Sequence, residues 1–151
     1  MRAAACRRTK RHLALVPSPR AAPDPAHELL LRASADGDAP AMYNLASQAA
    51  ERGDVREKER WSRASAEAGH PEGAYSLGLL SSERGDLQEG ETWYRAAAEG
   101  QHPNAMFNLG LLLRERGDFD GAEHWYGRAA ATGDAQAAQN LVLLRRRRHR
   151  R

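Results

Sequence analysis

Six histidines, one cysteine, three tryptophans and 20 carboxylates are the side chains of this 151-residue chain best able to do chemistry. Their spacing points away from catalysis. Cys6 stands alone, so it has no intramolecular disulfide partner and is too few for a zinc site. His70 and His102 each directly precede a proline, with no cysteine or second histidine at ligand spacing. They read as caps of the helices that follow. The sequence holds no phosphate-cradling glycine loop, no HExxH, and no Ser, His and Asp in a supporting context. The chain is therefore expected to be non-enzymatic, with no cofactor and no metal.

The side chains left over for binding recur at one interval. Arg52-Gly53-Asp54, Arg84-Gly85-Asp86 and Arg116-Gly117-Asp118 are 32 residues apart. The same spacing separates Trp61, Trp93 and Trp125, and also Leu45, Leu77, Leu109 and Leu141. It relates Tyr43, Tyr75 and Phe107 as well. Independent residue classes in a single register define a structural repeat. An Arg-Gly-Asp triplet in that register is a helix stop, a turn and a helix cap rather than an adhesion motif.

Each repeat reads as two helices. Apolar residues at helical spacing predict a helix A over 40–51, 72–83, 104–115 and 136–147. A helix B is predicted over 55–68, 87–99 and 119–132, preceded by an orphan B over 26–36. Pro71 and Pro103 open helix A at its first position, where a missing N–H costs nothing. Asp54 with Glu57, and Asp86 with Glu89, have the spacing of capping boxes. The tryptophans fall on helix B as packing residues. Lys58, Ser62 and Ser65 replace small or aromatic residues, so looser packing is expected in the first unit. One hairpin cannot bury its own apolar face, whereas stacked neighbours can. The fold class is all-α, a short α-solenoid of stacked antiparallel hairpins with basic, disordered tails.

Charge divides the chain the same way. Residues 1–25 carry a net +5, residues 26–144 a net −8, and residues 145–151 six arginines. The expected organisation is a disordered Pro/Ala-rich leader over 1–25, the repeat domain over 26–144, and an arginine-rich tail over 145–151. A pI near 9.4 thus reports the tails and not the domain. No apolar run approaches the roughly 18 residues of a membrane span. Arg7-Arg8 precedes only a short apolar stretch, Leu13 to Val16, too brief for an export signal. A cytoplasmic location is expected.

The unit Pro103 to Asp134 resembles the tetratricopeptide repeat and its relative, the Sel1-like repeat. Leu109-Gly110, Gly117-Asp118, Ala122, Tyr126 and Ala129 carry the likeness, and Leu77-Gly78, Gly85-Asp86, Tyr94 and Ala97 repeat it. The period departs from the roughly 34 residues of tetratricopeptide units. The insertion usual between Sel1-like helices is absent. The resemblance implies a scaffold that binds a peptide or protein segment in a concave groove lined by helix A. Tyr43, Asn44, Tyr75, Ser76, Leu79, Phe107, Asn108, Leu111, Arg114 and Asn140 are the expected groove residues. In superhelical relatives an asparagine at the matching place pairs with ligand backbone, and an amide has the donor and acceptor to do so. Tyr75 and Phe107 are expected side by side on successive helices. The rim of Glu51, Glu83 and Glu115 favours a basic or amphipathic ligand. The alternative is a protein associated with nucleic acid or an anionic surface through its basic tails, Arg145 to Arg151 above all.

Overall fold

The computed structural model describes residues 24–148. They form eight helices: α1 (Pro25–Ala35), α2 (Ala39–Glu51), α3 (Val55–Glu67), α4 (Pro71–Glu83), α5 (Leu87–Glu99), α6 (Pro103–Glu115), α7 (Phe119–Ala131) and α8 (Ala135–Arg148). No strand occurs among the described residues. Helices α2, α4, α6 and α8 are the A helices, and α1, α3, α5 and α7 the B helices. Each packs chiefly on its immediate neighbours in the chain, as a solenoid requires. The leader lies outside the described residues up to residue 23. The boundary expected at 144 falls inside α8, which runs through Arg148, so the first four tail arginines are helical. Residues 149–151 lie outside the described residues.

The turns follow from the sequence. At the α4–α5 turn Gly85 takes φ 81°, a left-handed conformation that ends α4 cheaply only without a side chain. Asp86 then caps α5 by accepting from Glu89 N at 3.0 Å, as Asp54 caps α3 from Glu57 N at 2.9 Å. The expected capping boxes are only half made. The cap residues' own N–H groups are already taken, Asp54 N by Ala49 O and Asp86 N by Ser81 O, both at 2.9 Å. The glutamates are thereby freed for other work. Glu57 pairs with Arg52 at 2.7 Å, and Glu89 accepts from Ser81 Oγ at 3.0 Å. At the α5–α6 turn the left-handed residue is Gln101, with φ 66°, where the other B-to-A turns have glycine.

Helix A meets its own helix B through one repeated contact. Tyr94 lies flat against Gly78, and Tyr126 against Gly110. A Cβ on Gly78 would stand 2.5 Å from Tyr94 Cδ1, and one on Gly110 2.7 Å from Tyr126 Cδ1. Tyr126 is wholly buried and Tyr94 nearly so. Around them Ala97, Ala105, Ala129 and Ala137 are fully buried, which lets the helix backbones approach closely.

The first unit is not loose; this corrects the sequence expectation. Ser62 and Ser65 are both fully buried. Ser62 Oγ donates to Ser76 Oγ at 3.1 Å, and Ser65 Oγ donates to the Ala39 carbonyl at 2.8 Å. Buried hydroxyls with partners cost little, whereas orphaned ones would each cost about 1–3 kcal/mol. Size is compensated too. Gly73 packs against Ser65 so closely that a Cβ there would lie 2.7 Å from Ser65 Cβ. The equivalent places one repeat on hold Ala105 and Ala97. Where helix B gains an oxygen, helix A loses a methyl.

The tryptophans pack as expected at their register positions. Trp125 is buried, Trp61 and Trp93 half-buried. Arg60, Arg63 and Arg128 lie over the rings of Trp61, Trp93 and Trp125 at 4.7, 5.7 and 4.8 Å. Ion pairs link the ends of α4, α6 and α8 to the B helix before each: Arg84–Glu59 at 2.8 Å, Arg116–Glu91, and Arg145–Glu123 at 2.7 Å. A hydrogen bond from Arg84 holds Glu59 below the ordinary carboxylate range, against the opposing effect of burial. Such exposed pairs contribute at most about 1 kcal/mol each, so they tune register more than they hold the fold.

The glycine–tyrosine contact gives a direct test. Gly110→Ala drives a methyl into an immovable ring and should destabilise by about 1–3 kcal/mol in chemical denaturation. Gly127→Ala, with nothing within 4 Å of its would-be Cβ inside α7, should be neutral or stabilise by up to about 1 kcal/mol. Equal effects of the two would contradict the packing described.

Candidate functional site

The expected groove residues sit on the A helices, and the structure sorts them by what they touch. Tyr43, Tyr75, Leu79, Phe107, Leu111, Asn108, Arg114 and Asn140 are half-buried, and Asn44 is exposed. Ser76 is buried, its hydroxyl bonded to Ser62. It belongs to the interior of the first two units and not to an open face.

Tyr75 stacks on His102, with centroids 4.2 Å apart and planes at 23°, and meets Tyr94 at 5.9 Å. Tyr43 stacks on His70 at 5.7 Å, and Phe107 meets Tyr126 at 5.9 Å. Tyr75 is thus covered by both the turn and the helix B that follow it, Tyr43 meets a turn residue and Phe107 a helix B residue. Among the described residues Tyr75 and Phe107 form no ring pair with each other. Tyr75, Leu79, Phe107 and Leu111 all pack against the central apolar cluster.

The histidines behave as chain-end residues. His102 Nδ1 accepts from Ala105 N at 3.2 Å and caps α6. His70 makes no such cap bond; its Nδ1 lies 3.1 Å from Glu72. No group of three or more His, Cys, Asp or Glu that could hold a metal occurs among the described residues. No helix of the described residues is long and apolar enough to cross a membrane.

Two polar pairings recur from unit to unit with different outcomes. Burial and the neighbouring Tyr94 push the Tyr75 hydroxyl above its ordinary value, against the pull of a hydrogen bond with Asn108. One repeat later Phe107 stands in Tyr75's place and offers Asn140 no hydroxyl. Likewise Ser82 Oγ lies 3.4 Å from the Tyr94 hydroxyl, whereas Arg114 stands in Ser82's place and the buried Tyr126 hydroxyl has no hydrogen-bond partner. Burial pushes that hydroxyl up, with Arg114 opposing.

An open cavity of about 490 Å³ lies at this end of the A-helix face. It is lined by Arg114 of α6 and by Asn140, Leu143, Leu144, Arg146 and Arg147 of α8. Of these, Arg114 and Asn140 were expected in the groove from the sequence, and Arg146 and Arg147 only as part of the basic tail. The signal for two others was the register itself, since Leu143 and Arg146 fall 32 residues after Leu111 and Arg114.

Stacked antiparallel helix pairs with a small-residue core and a variable A-helix face define an α-solenoid repeat protein. No family profile matches the sequence, nor does any curated protein. Among solved structures, the crystal structure of a Sel1 repeat protein from Oxalobacter formigenes is 31% identical, covers 76% of this chain and 95% of its own, and superposes with a TM-score of 0.67. The chain belongs to the Sel1-repeat family.

The His102 cap makes stability depend on pH. Burial lowers its pKa from the usual 6.5, outweighing the Glu72 carboxylate, so the folded chain binds this proton less readily than the unfolded one. Stability from the neutral ring is complete above that value and is lost as pH falls below it. Thermal unfolding between about pH 7.5 and about pH 5 should show a steeper loss for the native chain than for His102→Asn, whose amide caps without titrating. Parallel curves would contradict this.

Proposed function

We propose that this protein is a non-enzymatic scaffold that binds a segment of a protein partner along the face formed by α2, α4, α6 and α8. The cavity between α6 and α8 carries the reading. Its floor, Leu143 and Leu144, is apolar, and Leu143 is 58% exposed. Its rim is polar, with Arg114, Asn140, Arg146 and Arg147. An exposed apolar floor with a polar rim is the composition of an interaction site. Membership of the Sel1-repeat family supports the same class of function, because the fold serves partners through side chains displayed on a rigid stack. The reading draws the expected groove residues into two groups. Tyr75, Leu79, Phe107 and Leu111 pack against the central apolar cluster, while Arg114 and Asn140 line the cavity.

A second apolar row, Val55, Leu87 and Phe119, is exposed at the start of successive B helices and provides the contrast needed for a test. The full chain is immobilised beside its Leu143→Asp and Leu87→Asp variants, each first shown to be folded by circular dichroism, and captured proteins are identified by mass spectrometry. Partners should be lost with Leu143→Asp and kept with Leu87→Asp. Retention of every partner by Leu143→Asp, or loss confined to Leu87→Asp, would overturn the assignment to the A-helix face.

A further inference from the structure

The A-helix face changes character from one end to the other. In equivalent places of α2, α4, α6 and α8 stand Ser47, Leu79, Leu111 and Leu143. One turn further along each helix come Ala50, Ser82, Arg114 and Arg146, then Glu51, Glu83, Glu115 and Arg147. The edge is acidic on the first three A helices and basic on the fourth. The sequence rim of glutamates suggested a basic ligand, but among the described residues no carboxylate lines the cavity. Its three guanidiniums come from α6 and α8, and Arg145, engaged with Glu123 at 2.7 Å, is not among them.

The two polar groups left open in the third unit belong to this same end. Asn140 lacks the hydroxyl that Asn108 has in Tyr75, and the buried Tyr126 hydroxyl has Arg114 where Tyr94 has Ser82. In the preceding unit Ser82 Oγ lies 3.4 Å from the Tyr94 hydroxyl, and the Tyr75 hydroxyl interacts with Asn108. Here these places are given over to a guanidinium and a free amide.

We infer that the C-terminal end of the A-helix face is a recognition subsite for carboxylates of an acidic, partly apolar segment of a protein partner. Arg114, Arg146 and Arg147 receive aspartate or glutamate side chains, Asn140 receives the ligand backbone, and Leu143 and Leu144 receive an adjacent apolar side chain. The inference rests on the groove reading and specifies its ligand. A guanidinium presents paired donors that match a carboxylate in two-point geometry, and the bond is charge-assisted. Three like charges around one cavity also repel each other until an anion arrives.

A nucleic acid fits the surface less well. Its phosphates would continue past the cavity along the edge held by Glu115 and Glu83, where the sign opposes them. Its backbone also has no use for a leucine floor. The chain's own residues 1–25, at net +5, carry the wrong charge to occupy the site.

The test uses the full chain and three fluorescent probes: a short peptide alternating Glu and Leu, the same peptide with Gln for Glu, and an oligouridylate of matched charge. Fluorescence anisotropy should show the Glu peptide bound most tightly of the three. Arg146→Gln should weaken it about tenfold, the value of one charge-assisted hydrogen bond. Arg145→Gln removes the same charge one residue away, outside the cavity, and should change affinity less than about twofold, as exposed charges do. Phe107→Tyr, which gives Asn140 the hydroxyl that Asn108 has, should weaken binding severalfold with the fold intact. No binding of the Glu peptide, equal losses from Arg145→Gln and Arg146→Gln, or tighter binding of oligouridylate would each overturn the inference. If the peptide fails while Leu143→Asp still strips captured partners, the groove stands and only the carboxylate subsite falls.

Discussion

The contact on which the rest of this structure depends is a tyrosine ring laid on a helix that has no side chain beneath it. Tyr94 on Gly78 and Tyr126 on Gly110 bring helix B within reach of helix A's backbone. The approach is possible only because the surrounding residues are alanine or glycine. It occurs in the second and third hairpins, 32 residues apart, because the sequence repeats there. With these two hairpins closed in this way, the following A helix docks on the alanine face left by helix B, and the stack propagates. Turns held by a left-handed residue and an aspartate cap fix where each helix begins.

Within that constant frame the repeats act as controls for one another. The first hairpin replaces tyrosine with Ser62 and glycine with Ala46, both buried, and replaces alanine with Ser65 against Gly73. It exchanges apolar packing for hydroxyl pairs without leaving either one unbonded. The third unit makes the opposite kind of change. It keeps Tyr126 on Gly110 but lacks the two hydroxyls, Tyr75 and Ser82, that stand at the same places in the second unit. The scaffold therefore keeps one backbone frame inside and is graded outside. Its A-helix face runs from small and acidic-edged at α2 to apolar and arginine-rimmed at α8.

The sequence made the period, the helix type and most helix ends legible, because these rest on local chemistry. Pro71 and Pro103 open helices, and Gly85 with Asp86 ends one and caps the next. The observed ends fall within about two residues of those read from the pattern, the usual scatter of helix boundaries. What was not legible depended on pairs. Ser62 and Ser65 look like erosion in a sequence, since nothing in it reveals that Ser76 and the Ala39 carbonyl will meet them. Glu57 and Glu89 have capping-box spacing, but the N–H groups they would serve are used by the helix before. Tyr75 and Phe107 share a register position, yet the rings that cover them arrive from the next turn and the next B helix. The cavity was half legible. Arg114 and Asn140 were identified, whereas Leu143 was left as one more helix A residue and Arg146 and Arg147 were read as part of a charged tail rather than as the fourth member of each row.

The most direct test of this account is a double-mutant cycle that moves the glycine–tyrosine contact into the first hairpin. Ser62→Tyr alone should destabilise by about 1–3 kcal/mol, because the ring meets the Ala46 methyl. Ala46→Gly alone should cost about 1 kcal/mol, as glycine does within a helix. If the contact organises the hairpin, the double variant should be more stable than the sum of the two losses by at least about 0.5 kcal/mol in chemical denaturation. Simple additivity of the two losses would show that ring and glycine are not coupled, and the contact would lose its place as the organising interaction.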